Sequence, residues 1–211
     1  MVGASADRDA FLARRHVSRE TLSGLDAYDA LLRRWQASIN LVGPRTVDQL
    51  WTRHFLDSIQ IVDHIGDATR VVDLGSGAGF PGLVVALALR DRPGMEVTLV
   101  ESNGKKVAFL RAVASALGLP VSIHSGRIES IVPGLEPADV VTARALAPLT
   151  TLLTWSEPLL KSGAVGLFPK GRDLDKEVEE AARCWSFQHS VLPSVVEPDS
   201  ALVRLVDVRR L

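Results

Sequence analysis

From Arg70 onward the chain alternates short β-branched runs with helical stretches, and this rhythm limits the possible folds more than any other feature. The runs are Val71–Leu74, Val97–Val100, Val121–His124, Val140–Thr142 and Val165–Phe168. The helical stretches between and after them are Leu83–Arg90, Lys105–Leu117, Leu149–Leu160 and Asp173–Cys184. Repeated strand–helix–strand units predict right-handed crossovers and a parallel sheet with helices on both faces. Trp185–Leu192 and Leu202–Val208 follow with no helix between them, so two sequential antiparallel strands are expected to close the sheet.

The first 66 residues have no strand-like alternation. Leu22, Leu25, Tyr28, Leu31, Leu32 and Trp35 recur at helical spacing over 18–38. Thr46-Val-Asp-Gln49 reads as a capping box opening a second helix that Gly66 ends. The expected organisation is a helical extension over 1–66 packed on a Rossmann-like α/β domain over 67–211.

Composition excludes several classes. The longest apolar run, Leu83–Leu89, is seven residues, whereas a membrane-spanning helix needs about 20. Lys and Arg number 24 against 25 Asp and Glu, a net charge of −1. A protein that coats nucleic acid non-specifically needs a broad positive excess, but this balance still permits one local RNA-gripping patch. Asp7 and Asp9 stand where a secretion signal would need its apolar core, and Cys184 is the only cysteine. These features lead to the expectation of a monomer in the cytoplasm with no membrane contact, no protein partner and no metal site. Cys184 is expected to be a small buried hydrophobe.

The segment Val71-Val-Asp-Leu-Gly-Ser-Gly-Ala-Gly-Phe-Pro-Gly82 carries the most chemical information. A strand enters a turn containing Gly75, Ser76, Gly77 and Gly79, and a helix follows. In a parallel sheet this turn lies at the carboxyl end of the first strand, where such folds bind ligands. Gly77, Gly79 and Gly82 fit the dinucleotide spacing, a weak signal by itself. Pro81 removes an N–H that would face a pyrophosphate, and Asp73 places a carboxylate beside the turn. Both features suit S-adenosylmethionine, which has a sulfonium and an ammonium and no phosphate. Glu101, followed by Ser102, ends the second strand where an acid commonly accepts hydrogen bonds from ribose hydroxyls; it serves an adenosine of either cofactor class.

Asp-x-Gly-x-Gly-x-Gly after a first strand, with an acid ending the second, resembles the class I S-adenosylmethionine-dependent methyltransferases. Longer strings narrow the resemblance. Asn40-Leu-Val, His54-Phe-Leu-Asp-Ser58, Asp73 through Gly82, Glu101-Ser-Asn-Gly-Lys-Lys106, Gly126-Arg-Ile-Glu129, Arg144-Ala145 and Lys170-Gly171 occur in this order. Over about residues 30–180 the chain is similar to the bacterial RsmG (GidB) family of small-subunit rRNA methyltransferases. That resemblance implies N7 methylation of guanine 527 in the 530 loop of 16S rRNA. The family commonly has Asp in place of Glu101 and Lys-Arg in place of Lys105-Lys106. The resemblance also implies that Gly75 and Phe80 contact the cofactor, that Ile128 and Glu129 lie against the adenine, and that Arg144 sits at the edge of the same pocket.

The end of the fourth strand has no Asn/Asp-Pro-Pro-aromatic string and no Pro-Cys pair, so devices for deprotonating an exocyclic amine or adding a thiolate to a pyrimidine are missing there. Guanine N7 needs neither, since its lone pair lies in the ring plane and carries no proton. Arg144 is therefore expected to orient cofactor or base, with no proton-transferring catalytic residue. The expected RNA contacts are Arg53, His54, Lys105, Lys106 and Lys170, with Arg14, Arg15, His16 and Arg19 as a further basic cluster on a helix face. The partner implied is 16S rRNA or the small ribosomal subunit.

Overall fold

The computed structural model describes residues 2–211. Two helices come first, α1 (Val2–Arg14) and α2 (Arg19–Gln36), followed by a 3-10 turn (Pro44–Gln49), a π-helical segment (Leu50–Phe55) and the short helices α3 (Leu56–Ile59) and α4 (Val62–Ile65). The alternating region then runs β1 (Arg70–Leu74), α5 (Gly82–Ala88), β2 (Glu96–Glu101), α6 (Gly104–Leu117), β3 (Val121–Ser125), α7 (Ile128–Ile131), β4 (Val140–Thr142), α8 (Leu149–Lys161), β5 (Val165–Lys170), α9 (Leu174–Ala181), β6 (Trp185–Pro193) and β7 (Ala201–Arg210).

All seven strands form one sheet in the order β3-β2-β1-β4-β5-β7-β6. β1 through β5 are parallel, and β7 runs antiparallel to both β5 and β6. The expected mostly parallel α/β sheet with an antiparallel C-terminal element is present. The last strand inserts between β5 and β6, which leaves β6 at the edge. Strands buried on both faces, such as Val140–Thr142, lie in the middle, and largely exposed β6 lies where only one neighbour pairs with it. Strand order reverses between β1 and β4, so their carboxyl ends bracket the crevice where open α/β sheets bind ligands.

Two hydrophobic clusters flank the sheet. On one face α5 and α6 share a core with the N-terminal helices, in which Tyr28, Trp51, Phe55, Phe80 and Phe109 are all buried. On the other, α8 and α9 pack Leu149, Leu152, Leu153 and Leu174 against Leu74, Val141 and Phe168. No helix among the described residues is long and apolar enough to cross a membrane.

Two local expectations are corrected. The Thr46–Gln49 capping box does not form, because the Asp7 carboxylate of α1 takes the N–H groups of Trp51 at 2.7 Å and Thr52 at 3.2 Å. A cap borrowed from α1 replaces the local one, and the Thr46 hydroxyl donates to the Gly43 carbonyl at 2.9 Å. Cys184 is exposed, because α9 stops at Ala181 and the chain turns directly into β6.

Candidate active site

Three cavities open at the carboxyl ends of the strands. One, of about 260 Å³, lies against the glycine turn and the ends of β2 and β3, with Gly75, Glu101, Ser102, Ile128 and Glu129 on its wall. Lys106, Arg127, Leu146 and Trp155 complete it, none of the last three having been singled out from the sequence. The second, of about 450 Å³, lies between the N-terminal helices, the loop after β4 and the β6–β7 turn. Arg53, His54, Asp57, Arg144, Lys170 and Glu197 are on its wall. The third, of about 300 Å³, lies at the ends of β4 and β5 with Ala145, Leu146, Lys170 and Glu177 on its wall. Ala145 lines all three. It holds φ +50, a left-handed conformation that an alanine adopts only at some cost.

Most backbone donors of the turn are already engaged within the protein. The Ser76 N–H donates to the Val100 carbonyl, those of Gly79 and Phe80 to the Ser76 carbonyl, that of Gly77 to Glu101 Oε2 at 2.8 Å, and that of Gly82 to Asp73 Oδ2 at 3.3 Å. The N–H groups of Ser76, Gly77, Gly79, Phe80 and Gly82 are thus already used, Pro81 has none, and a carboxylate caps the turn, an arrangement poorly suited to a pyrophosphate. Glu101 Oε1 accepts from the Asn103 N–H at 2.7 Å, so both carboxylate oxygens are held in place with lone pairs left over for hydroxyl donors. This donor set fits an adenosine-containing cofactor that has cationic groups and lacks phosphate.

Asp73 plays a different part from the one expected. It is fully buried and lines neither cavity, its oxygens taking the Thr142 hydroxyl at 2.8 Å and the Gly82 N–H. Burial pushes its pKa up to about 6, against the opposing pull of hydrogen bonds and the Arg144 charge. A desolvated carboxylate must find donors, and here they tie β1 to β4 and to the start of α5. A Cβ at Gly82 would come within 2.8 Å of Asp73 Oδ2 and 2.4 Å of Leu99, so that glycine serves packing. Phe80 also lies behind the wall, stacked on Tyr28 at 5.6 Å and on His54 at 5.1 Å, with the Arg144 guanidinium 5.0 Å from its ring centroid.

On the larger cavity, Arg144 Nη1 donates to Asp57 Oδ2 at 3.0 Å and Nη2 lies 2.7 Å from His54 Nδ1. Guanidinium only donates, so Nδ1 accepts and the imidazole proton is on Nε2, 3.0 Å from the Thr46 hydroxyl. Burial, then the charges of Arg144 and Arg53, lower the His54 pKa to about 3. His54, expected among the RNA contacts, is a neutral, buried link between Arg144 and Thr46. The same expectation is corrected for Lys170. Its side chain is only 8% exposed, and its ammonium is engaged by Glu177 and the Ala147 carbonyl, which pins the loop after β4. Arg53 is ion-paired with Glu197 of the β6–β7 turn at the cavity edge. Lys105 and Lys106 open α6, where the Asn103 side chain accepts from both of their N–H groups. Of the basic cluster, Arg15 pairs with Asp63 at 2.6 Å and Arg14 donates to the Val195 carbonyl, so both fasten α1 to its surroundings.

The family of rRNA small subunit methyltransferase G, GidB, matches residues 21–203. The chain belongs to the GidB family. Its relatives include the ribosomal RNA small subunit methyltransferase G of Methylorubrum extorquens, 50% identical over 95% of either chain, and that of Methylobacterium nodulans, 51% identical over 96% of either. The protein of the same name from Brucella ovis is 47% identical over 92% of this chain and 91% of its own. Among solved structures, the O-methyltransferase TomG of Streptomyces achromogenes in complex with SAM matches with a TM-score of 0.62 at 16% identity, covering 94% of this chain and 95% of that one. An O-methyltransferase from Bacillus cereus in complex with SAH gives a TM-score of 0.60 at 16% identity, over 86% and 91%. These structures share the fold, and GidB membership rests on the sequence.

Asp57, Thr46, Glu197, Arg127, Leu146 and Trp155 are among the wall residues that sequence reasoning missed. Asp57 lies inside the His54–Ser58 string, so a signal existed, but nothing local indicated that its partner would be Arg144.

Proposed function

We propose that this S-adenosylmethionine-dependent rRNA methyltransferase acts on N7 of guanine 527 in the 530 loop of 16S rRNA. The observation that carries the reading is the joint at Ala145. A phosphate-free adenosine cavity and a larger cavity meet there, and the only imidazole on the second wall is held neutral with its proton committed to Thr46. A nucleophile that must first lose a proton would need a base near neutrality. Guanine N7 has no proton to lose, and positioning alone can supply up to about 7–11 kcal/mol of the barrier.

S-adenosylmethionine, when bound, supplies a methyl carbon made electrophilic by its sulfonium. Glu101 would accept from the ribose hydroxyls, with Gly75 and Ser102 on the same wall, Gly77 holding the Glu101 carboxylate and Ser76 buried behind the turn, and Ile128 and Glu129 would flank the adenine. Asp73 and Phe80 support this wall from behind. Arg144, fixed by Asp57 and His54, orients the acceptor. RNA backbone meets Lys105 and Lys106 at the start of α6, and phosphate competes with Glu197 for Arg53. The substrate is 16S rRNA or the small subunit.

The test incubates the protein with methyl-labelled S-adenosylmethionine and small subunits lacking the modification, then cleaves the rRNA chemically at N7-methylguanine. One labelled scission at guanine 527 is expected. Label without scission, or scission elsewhere, overturns the site and atom assignment.

A further inference from the structure

Arg144 and Asp57 stand side by side on the acceptor wall, only 15% and 17% exposed in their side chains. The guanidinium has five N–H groups. Two are directed to Asp57 Oδ2 and His54 Nδ1, which leaves others for a ligand. Asp57 Oδ1 accepts from Gln60 Nε2 at 2.8 Å, and the carboxylate still has lone pairs to offer. The wall therefore presents a cationic donor next to an anionic acceptor, in an order fixed by contacts at both ends.

Guanine carries the complementary pair. Its O6 accepts and the adjacent N1–H donates, whereas adenine places a donating amino group beside an accepting N1. We propose that the Arg144–Asp57 pair reads the O6/N1–H edge of the acceptor base and so selects guanine over adenine. This rests on the proposed function in taking guanine as the acceptor, and it adds two residues that determine specificity. N7 neighbours O6 on the ring, so holding O6 at Arg144 leaves N7 free to face the joint at Ala145. The pair also matches the reaction's charge. Methylation leaves the purine cationic, and a lone guanidinium at O6 would oppose that. Asp57, accepting from N1–H, offsets it where the charge develops. An adenine-like edge would set donor against donor and acceptor against acceptor in a half-buried wall, which is strongly rejected.

The experiment compares wild-type methylation of reconstituted small subunits bearing guanine, 2-aminopurine or 2,6-diaminopurine at the target, all of which retain N7. Guanine should exceed 2,6-diaminopurine by about 100-fold in kcat/KM, the upper end expected of one good bidentate reading. Asp57→Asn should compress that ratio to about tenfold or less, because an amide offers N–H or C=O to either edge. Its affinity for S-adenosylhomocysteine by calorimetry should stay within about twofold, since Asp57 does not line the donor cavity. Wild type treating guanine and both analogues alike would overturn the proposal, as would Asp57→Asn retaining the full ratio. The analogue series needs no variant, so it decides the matter even if Asp57→Asn folds poorly. Absence of N7 modification on guanine itself would instead strike the proposed function.

Discussion

The donor and acceptor cavities, which meet at Ala145, are assembled in opposite ways. The wall of the donor side comes largely from one pattern read three times, a strand end followed by a turn: Gly75 after β1, Glu101 at the end of β2, Ile128 after β3. The acceptor side draws Thr46 from a 3-10 turn, His54 from a π-helical segment, Asp57 from α3, Arg144 from the loop after β4 and Glu197 from the β6–β7 turn. The first is held by the turn's backbone N–H groups bonding within the turn and to the adjoining ends of β1 and β2, the second by side chains reaching between elements far apart in the chain. A parallel sheet places its strand ends automatically, so a short motif suffices on the donor side. The acceptor side exists only once the N-terminal helices and the final hairpin have docked.

The largest effect should come from crowding the donor side. Gly82→Ala puts a methyl against buried Asp73 and Leu99 and should cost about 3 kcal/mol in urea unfolding. Gly77→Ala, at φ +58 with only the Gly75 carbonyl within 4 Å, should cost about 1 kcal/mol. Equal losses would show that the turn does not distinguish packing glycines from open ones.

On the acceptor side, Arg144→Ala should lower kcat/KM by about 100-fold, the scale of losing a fixed electrostatic contact. Because burial, ahead of the Arg144 charge, is the first cause of the lowered His54 pKa, the pH–rate profile of the variant between pH 6 and 9 should keep its shape. Loss of a titration limb in the variant would turn Arg144 or its neighbour into a participant in proton transfer.

The same two regions should also pull stability in opposite directions with pH. Asp73 titrates near 6 when folded and near 3.8 when unfolded, so between those values the folded state holds more protons and stability falls as pH rises. His54 titrates near 3 when folded and 6.5 when unfolded, so across that range stability falls as pH drops. Each slope approaches about 1.4 kcal/mol per pH unit, and they offset in the wild type. Relative to wild type, His54→Asn should lose about 2 kcal/mol between roughly pH 4.5 and 6, and Asp73→Asn should gain as much, both read from urea midpoints. Parallel trends in the two variants would refute the opposition.

The smallest effect lies at the rim. Reversing Lys105 to Glu should weaken RNA binding by about fivefold and flatten its salt dependence, leaving cofactor affinity within about twofold because Lys105, unlike Lys106, does not line the donor cavity. Equal loss of both would mean that α6 no longer folds as it does here.

The sheet was readable because its signals are local. β-branched runs alternating with amphipathic stretches leave few alternatives to a parallel α/β sheet, and the glycine turn with Glu101 marks a ligand site before any tertiary contact is known. Side-chain destinations were not readable. Asp73 looked like a ligand contact because it precedes the turn, yet its backbone position sends the carboxylate into the core. His54 and Lys170 looked like RNA contacts, but burial holds one neutral and the other is committed to Glu177. The capping box failed for the same reason, since Asp7 supplied the missing acceptor from α1.

By itself the sequence determined the alternation of strands and helices after Arg70, the glycine turn that marks the ligand site, and membership of the GidB family. Only the tertiary structure decided which charges remain available, that Arg144 is clasped by Asp57 and His54, and that the donor and acceptor cavities join at Ala145. Periodicity and turn chemistry act over a few residues and are written in neighbouring letters. Burial, ion pairing and the loss of a proton depend on which side chains pack together, and the partner can be as near as Glu177 is to Lys170 or as far as Glu197 is from Arg53, 144 positions away.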